Sequence, residues 1–144
     1  MKKRVEVIYD IETKKIFDDI NTNNPADLGI SIVSAYRREV DEEGNELSGE
    51  MKSFWESEFD SMWSWFEEAD RIIGYNSFGF DNPAMNGVYT KGDFTKLKHF
   101  DILEETYIGF RLLPFHESIR KRQTQHPKFY FFDCGVLRAI QNRL

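Results

Sequence analysis

The sequence predicts an α/β fold in which helices flank a mixed five-stranded sheet. Three observations support this: short β-rich runs separated by turn signals, one segment with helical periodicity, and an element order of β-β-β-α-β-α-β. The first three strands are expected to pair antiparallel, and the later strands to join through right-handed crossovers to parallel neighbours. With 144 residues, 40% hydrophobic and 15% aromatic, the chain has enough apolar material for one core.

Three strands are predicted before the first helix. Residues 5–9 (VEVIY) form a β-rich run that stops at Asp10, and a loop signal at 21–25 (NTNNP) separates this run from the next. A turn signal at 41–45 (DEEGN) predicts an antiparallel hairpin between the second and third strands. The three strands are residues 5–9, 28–36 and 46–55.

Helical spacing is clearest in residues 57–69, where the apolar positions recur at the spacing of one helical face. These positions are Phe59, Met62, Trp63, Phe66 and Ala69. A fourth strand is predicted at 71–75, a second helix from Pro83 to about residue 90, and a fifth strand at 98–103 with helix from Glu104 onward.

Charge divides the chain unevenly. Residues 1–110 contain 12 Lys and Arg against 23 Asp and Glu, a net charge of -11, whereas residues 111–144 contain 7 against 2, a net charge of +5. A nucleic-acid partner would therefore have to meet a basic patch or metal ions held by carboxylates. The single Cys134 excludes an intrachain disulfide, and no apolar run is long enough for a membrane span, so a cytoplasmic location is expected.

Two carboxylates, Asp10 and Glu12, close the first strand. Because side chains alternate along a strand, both emerge on the same face. At about 4 Å and an effective dielectric constant near 20, their repulsion is roughly 4 kcal/mol, which favours a cation such as Mg²⁺ or Mn²⁺. An exposed strand end with two acids is the alternative. The first and fourth strands are expected to be neighbours. Asp81, which follows the fourth strand at the same sheet edge, is then either a third ligand or a cap of the second helix.

Two segments resemble a known family. Residues 9–13 (YDIET) and 74–81 (GYNSFGFD) resemble the first two motifs of the DEDD 3′–5′ exonucleases, which have the ribonuclease-H-like fold, and the likeness covers about residues 4–105. The resemblance implies phosphodiester hydrolysis at the 3′ ends of single-stranded DNA or RNA with two Mg²⁺ or Mn²⁺ ions.

The same resemblance implies a role for each site residue. Asp10 would bridge the ions, Glu12 would bind one ion and position the attacking water, and Asp81 would complete the second ion's ligands. Contacts with the terminal nucleotide are implied for Thr13 and Asn76, with Phe80 packing in support.

The family carries a third motif on a later helix, a Tyr or His followed by a fourth Asp, and this chain is expected to have neither the Tyr-x-x-x-Asp nor the His-x-x-x-x-Asp spacing after Asp81. Activity is therefore expected to be weak or lost, and the alternative is a non-catalytic ribonuclease-H-like module that binds nucleic acid or protein. Asp101 is interpreted as a cap or a supporting group rather than a ligand.

The C-terminal segment resembles a different family. Residues 104–144, and above all 127–136 (PKFYFFDCGV), are similar to a fragment of the C-terminal domain of prokaryotic AAA-type ATPases, although no Walker A loop is present. The predicted organisation is a ribonuclease-H-like domain at 1–105, incomplete at its C-terminus, followed by a basic helix–strand–helix tail at 106–144. Self-association through this tail is a further expectation.

Overall fold

The computed structural model describes residues 2–106 in full and the backbone of residues 109–112 and 128–131. Two compact units divide between Asp101 and Ile102. The strands and helices are β1 (Arg4–Thr13), β2 (Ile30–Val40), β3 (Glu46–Trp55), α1 (Phe59–Glu67), β4 (Arg71–Gly74), α2 (Asp81–Val88), β5 (His99–Asp101), α3 (Ile102–Glu105), β6 (Gly109–Leu112) and β7 (Lys128–Phe131).

The first unit is an open five-stranded sheet in the order β3-β2-β1-β4-β5. β1 pairs antiparallel with β2, and β2 pairs antiparallel with β3. β4 runs parallel to β1 on its other side, and β5 runs parallel to β4. The predicted mixed five-stranded α/β sheet is confirmed, including the neighbouring first and fourth strands.

The core lies on one face of this sheet. Val7, Tyr9 and Ile11 alternate along β1 and are buried against helix α1, whose residues Met62 and Phe66 are fully buried. The apolar stripe of α1 is therefore confirmed as core, as its 3.6-residue spacing predicts. Strand β1 consequently has one face committed to packing and leaves its other face for polar side chains.

Several boundaries differ from the prediction. β1 runs past Asp10 to Thr13 and β2 ends four residues later than expected, at Val40. α2 begins at Asp81 rather than after it, because the tight loop from residue 75 to residue 80 brings the chain into helical geometry early. β5 ends at Asp101, and Ile102 already starts α3. Asp101 is fully buried and accepts hydrogen bonds from the loop before α2, which fixes the end of the strand.

The second unit contains α3 and the antiparallel pair β6 and β7. The prediction of a helix–strand–helix tail omits β6, and the helix expected from Glu104 onward is the short α3, which ends at Glu105. The strand-like character of the FYF run at 129–131 is confirmed by β7. The second expected helix and Cys134 lie outside the described residues. No helix in the described part of the chain has the length and apolar character needed to cross a membrane.

Candidate metal and nucleic-acid site

Asp10 and Glu12 are exposed at the carboxyl end of β1, whereas the flanking Tyr9 and Ile11 are buried. The alternation puts both carboxylates on the sheet face opposite α1. They are paired in register with Ser34 and Ile32 of β2, so neither faces a cationic side chain across that ladder. Both carboxylates are therefore free to take a ligand from solvent.

Asp81 is the first residue of α2 and is only 7% exposed. The N-cap residue of α2 is Phe80, so Asp81 does not occupy the capping position that was the alternative to a metal-ligand role. Burial, together with the negative charges of Asp10 and Asp101, raises the pKa of Asp81 to about 6. The structure thus brings Asp10 and Asp81 within electrostatic reach of each other.

A buried hydrogen bond ties the two motif segments together. The Tyr9 hydroxyl donates to Oδ1 of Asn82 at 2.7 Å, which joins the residue before Asp10 to the residue after Asp81. Burial, together with the charges of Asp81 and Asp101, raises the pKa of Tyr9 above its ordinary value. Tyr9 therefore remains protonated and available as a donor at neutral pH.

The loop between β4 and α2 is held by Asp101. The carboxylate of Asp101 accepts hydrogen bonds from the backbone N–H of Asn76 at 2.9 Å and of Phe78 at 3.0 Å, and from the Ser77 hydroxyl at 3.4 Å. Asn76 has a φ of 57°, in the left-handed region that Asn tolerates better than most residues. The interpretation of Asp101 as a supporting group agrees with these contacts.

The three residues predicted to contact a nucleotide, Thr13, Asn76 and Phe80, differ in the contacts that they make within the chain. Thr13 donates its hydroxyl to the carbonyl of Lys15 at 2.8 Å. Phe80 packs edge-on against Phe17, with ring centroids 6.1 Å apart, and against the core. Oδ1 of Asn76 is buried and has no hydrogen-bond partner among the described residues, so it remains an available acceptor.

The three predicted ligands do not form a ready-made metal cage. Within residues 2–106, no group of three or more His, Cys, Asp or Glu side chains is placed to hold a metal ion. The coupling seen in the structure joins Asp10 to Asp81, whereas no contact brings Glu12 to Asp81. A metal site at this position would therefore have to draw Glu12 toward the other two carboxylates.

One correction concerns the third motif. The sequence-based expectation that no Tyr-x-x-x-Asp pattern follows Asp81 is wrong, because Tyr89 and Asp93 have that spacing. The structure gives both residues packing or capping contacts instead. Tyr89 is buried and stacks on Trp63, with ring centroids 5.3 Å apart, while Asp93 accepts from the backbone N–H of Thr95.

The contacts of Asp93 also explain its acidity. Hydrogen bonds from Thr95 and Asn86 lower the pKa of Asp93 to about 2. This carboxylate caps the short helical turn Phe94–Lys96. The spacing therefore does not supply a general base and a fourth ligand in this structure, because Tyr89 ends α2 and Asp93 lies outside it.

One family model matches the C-terminal part of the chain. Residues 93–143 match a family model described as a domain of unknown function (DUF8612), which is less than half of the chain. No curated protein matches the chain significantly. The tail's resemblance to AAA-type ATPases stays a prediction.

Among solved structures, the chain is similar to the family B DNA polymerase from the hyperthermophilic archaeon Pyrobaculum calidifontis. The identity is 20% and the TM-score is 0.36, over 58% of this chain. The match covers 10% of that polymerase chain.

Proposed function

We propose that the first unit is a metal-dependent 3′–5′ exonuclease that hydrolyses phosphodiester bonds at the 3′ ends of single-stranded DNA or RNA. The observation that carries the proposal is the Tyr9–Asn82 hydrogen bond, which fixes the Asp10 and Asp81 segments side by side at the carboxyl edge of β1 and β4. Ligands of α/β proteins bind at this edge.

The donor set suits Mg²⁺ or Mn²⁺. Asp10, Glu12 and Asp81 supply carboxylate oxygens, the ligands that these ions prefer. Among the ion pairs of the described residues, none involves these three side chains. The unbalanced negative charge at Asp10 and Asp81 is what a bound cation would relieve.

Bound at these carboxylates, such ions supply Lewis acidity toward the phosphate and lower the pKa of a bound water. Asp10 and Asp81 would hold the cation, and Glu12 would orient the attacking water. Asn76 receives a hydroxyl of the terminal nucleotide at its unpartnered Oδ1, and Thr13 contacts the same nucleotide. Phe80 supports this contact from its packed position against Phe17.

The activity is proposed to be weak. General-base catalysis contributes typically 10²–10⁴-fold, and the only Tyr-x-x-x-Asp spacing after Asp81 is used for packing and capping. Turnover below that of a complete exonuclease by roughly this factor is expected. The remaining acceleration would come from the carboxylate-bound ions.

The test is digestion of 5′-labelled single-stranded DNA and RNA in Mn²⁺ or Mg²⁺. We expect a slow ladder of products shortened from the 3′ end, lost in Asp10→Ala and retained in the matched control Glu50→Ala, which removes an exposed carboxylate on β3. No shortening by the wild-type chain in either metal, or digestion that survives Asp10→Ala, would contradict the proposal.

Metal binding is measured separately from catalysis. Mn²⁺ should raise the unfolding temperature of the wild-type chain and of Glu50→Ala but not of Asp10→Ala, because a ligand that binds only the folded state stabilises it. A temperature shift without digestion would show that the metal site is present but lacks the general base.

A second candidate is a protein-binding module, favoured by strand β3. β3 is an edge strand of the sheet, and Leu47, Met51 and Trp55, spaced four residues apart on one of its faces, are exposed. An edge strand with exposed apolar side chains is a surface on which another chain can pair. This candidate predicts no hydrolysis in any metal and a change in oligomeric state, measured by light scattering, on Met51→Lys.

A further inference from the structure

Two large aromatic side chains are exposed on the loop between β4 and α2. Tyr75 is 61% exposed and Phe78 is 41% exposed, although the neighbouring Ser77 is fully buried. Exposed aromatic groups of this size are common at binding surfaces, where they provide contact area at little entropic cost. Their placement on a loop beside the candidate site suggests a binding role.

The loop that carries them is firmly held. The carboxylate of Asp101 accepts hydrogen bonds from the backbone N–H of Asn76, which follows Tyr75, and from the backbone N–H of Phe78 itself. Gly74 permits the tight turn, since a Cβ at that position would lie 2.7 Å from the Ser77 side chain. The aromatic rings are therefore presented by a backbone that is already ordered before any ligand binds.

The loop also has a defined position relative to the carboxylates. β4 pairs in parallel with β1 so that Ile73 lies beside Ile8, and the loop that begins at Tyr75 therefore starts at the end of the sheet where β1 carries Asp10. Asp81 follows Phe78 by three residues, at the start of α2. The aromatic loop and the carboxylates thus share one edge of the sheet.

We propose that Tyr75 is a stacking surface for an unpaired nucleobase next to the phosphodiester held at Asp10, and that Phe78 extends this surface. The assignment rests on the proposed exonuclease function and defines its substrate as single-stranded, because a base inside a duplex has both faces covered by the neighbouring base pairs. Base stacking on aromatic side chains tolerates every sequence. It also gives an acidic domain a means of holding nucleic acid that does not depend on Lys and Arg.

The charge balance makes this contact important. Residues 1–110 have a net charge of -11, so general attraction to phosphates is unfavourable. A binding energy based on stacking predicts a shallow dependence of affinity on salt, in contrast to binding by a basic patch.

The experiment measures the fluorescence anisotropy of 5′-fluorescein-labelled (dA)10 with the whole chain in Ca²⁺ buffer. Tyr75→Leu should raise the dissociation constant about tenfold, as expected for the loss of one stacked base. Tyr75→Phe keeps the ring and should bind like the wild type, and the control Glu50→Ala, exposed on β3, should do the same. The same oligonucleotide with two abasic 3′ residues should bind the wild type as weakly as (dA)10 binds Tyr75→Leu.

The outcomes separate this inference from the proposed function. If the wild type digests DNA in Mn²⁺ while Tyr75→Leu binds and digests equally well, stacking at Tyr75 is overturned and the exonuclease stands. If the wild type binds (dA)10 through Tyr75 but does not digest it, stacking is supported and the exonuclease is overturned. Loss of affinity in Tyr75→Phe equal to that in Tyr75→Leu, or no binding by the wild type, overturns stacking.

Discussion

Acidic residues near the two ends of β1 have opposite electrostatic surroundings. Near its start, Glu6 is buried, with its side chain 3% exposed. Its carboxylate forms salt bridges with Arg38 at 2.8 Å, with Arg4 at 2.9 Å and with Arg71 at 3.8 Å. Burial alone would raise the pKa of Glu6, but the hydrogen bonds from Arg38 and Arg4 lower it below the ordinary value. This carboxylate is neutralised by the fold itself.

At the other end of β1, the negative charges are left uncompensated. Burial and the nearby Asp10 raise the pKa of Asp81, and no Lys or Arg among the described residues forms an ion pair with either carboxylate. The same strand thus shows that this fold can pair a buried acid with arginines. The unpaired acids at Asp10 and Asp81 are more typical of a functional site than of a structural one.

The largest expected effect on stability comes from neutralising Asp81. Its pKa is about 6 in the folded state against an ordinary value of 3.8, so at neutral pH its charge costs up to about 3 kcal/mol at 1.36 kcal/mol per unit. Asp81→Asn should therefore raise the free energy of unfolding, measured in urea without divalent metal, by up to this amount. A loss of stability at neutral pH would show that Asp81 has a structural partner.

The pH dependence of this gain follows from the direction of the shift. Between pH 3.8 and about 6, the folded state binds more protons at Asp81 than the unfolded state does, so stability falls as pH rises through that range. The gain from Asp81→Asn should be near zero below this window and constant above it. Asp18→Asn, which changes an exposed aspartate, is the matched control and should show no such profile.

The opposite effect is expected at the other end of the strand. Glu6→Gln removes the charge that Arg4 and Arg38 contact and should lower the free energy of unfolding by about 2 kcal/mol, since hydrogen bonds to charged groups contribute about 1.5–3 kcal/mol. Because the folded pKa of Glu6 is lowered from 4.5, its contribution is present above that pH and is lost as pH falls through the folded pKa. Equal stability of the two proteins at pH 7 would contradict this.

Local patterns were enough to predict most of the fold but only part of the site. The apolar spacing of α1 and the alternation of β1 depend on residues a few positions apart, so the buried Phe66 and the exposed Asp10 follow from the sequence. The sequence also predicted that the first and fourth strands are neighbours, from the element order and the handedness of crossovers.

The unpredicted features depend on contacts between distant residues. Tyr9 and Asn82 are 73 positions apart, and Asp101 is 25 positions from Asn76, so no periodicity reports these hydrogen bonds. The pairing of Glu6 with Arg38 requires the exact register of β1 and β2. The true start of α2 also escaped prediction, because Asp-Asn-Pro favours a cap at Asp81 whereas the loop held by Asp101 moves that cap to Phe80.

A smaller effect on stability is expected from Asp10→Asn. This variant tests the uncompensated end of β1 because it removes a negative charge that acts on Asp81. Removing the charge of Asp10 should lower the pKa of Asp81 toward its ordinary value, because the charge of Asp10 is the largest cause of the increase after burial. Stability without metal should then rise by less than in Asp81→Asn. The measurement is the NMR titration of the Asp81 carboxyl carbon, and an unchanged midpoint would show that burial alone sets it.

The smallest effect is expected from Arg71, the outermost arginine around Glu6. Its guanidinium lies 3.8 Å from the Glu6 carboxylate and is 41% exposed, so water screens the attraction. Arg71→Gln should cost about 0.5 kcal/mol or less, and this small cost should decrease further at high salt. Arg38→Gln should cost more, because Arg38 donates two hydrogen bonds to Oε2 of Glu6 at 3.1 and 2.8 Å. Equal costs for the two variants would mean that net charge near Glu6, rather than hydrogen-bond geometry, stabilises this end of β1.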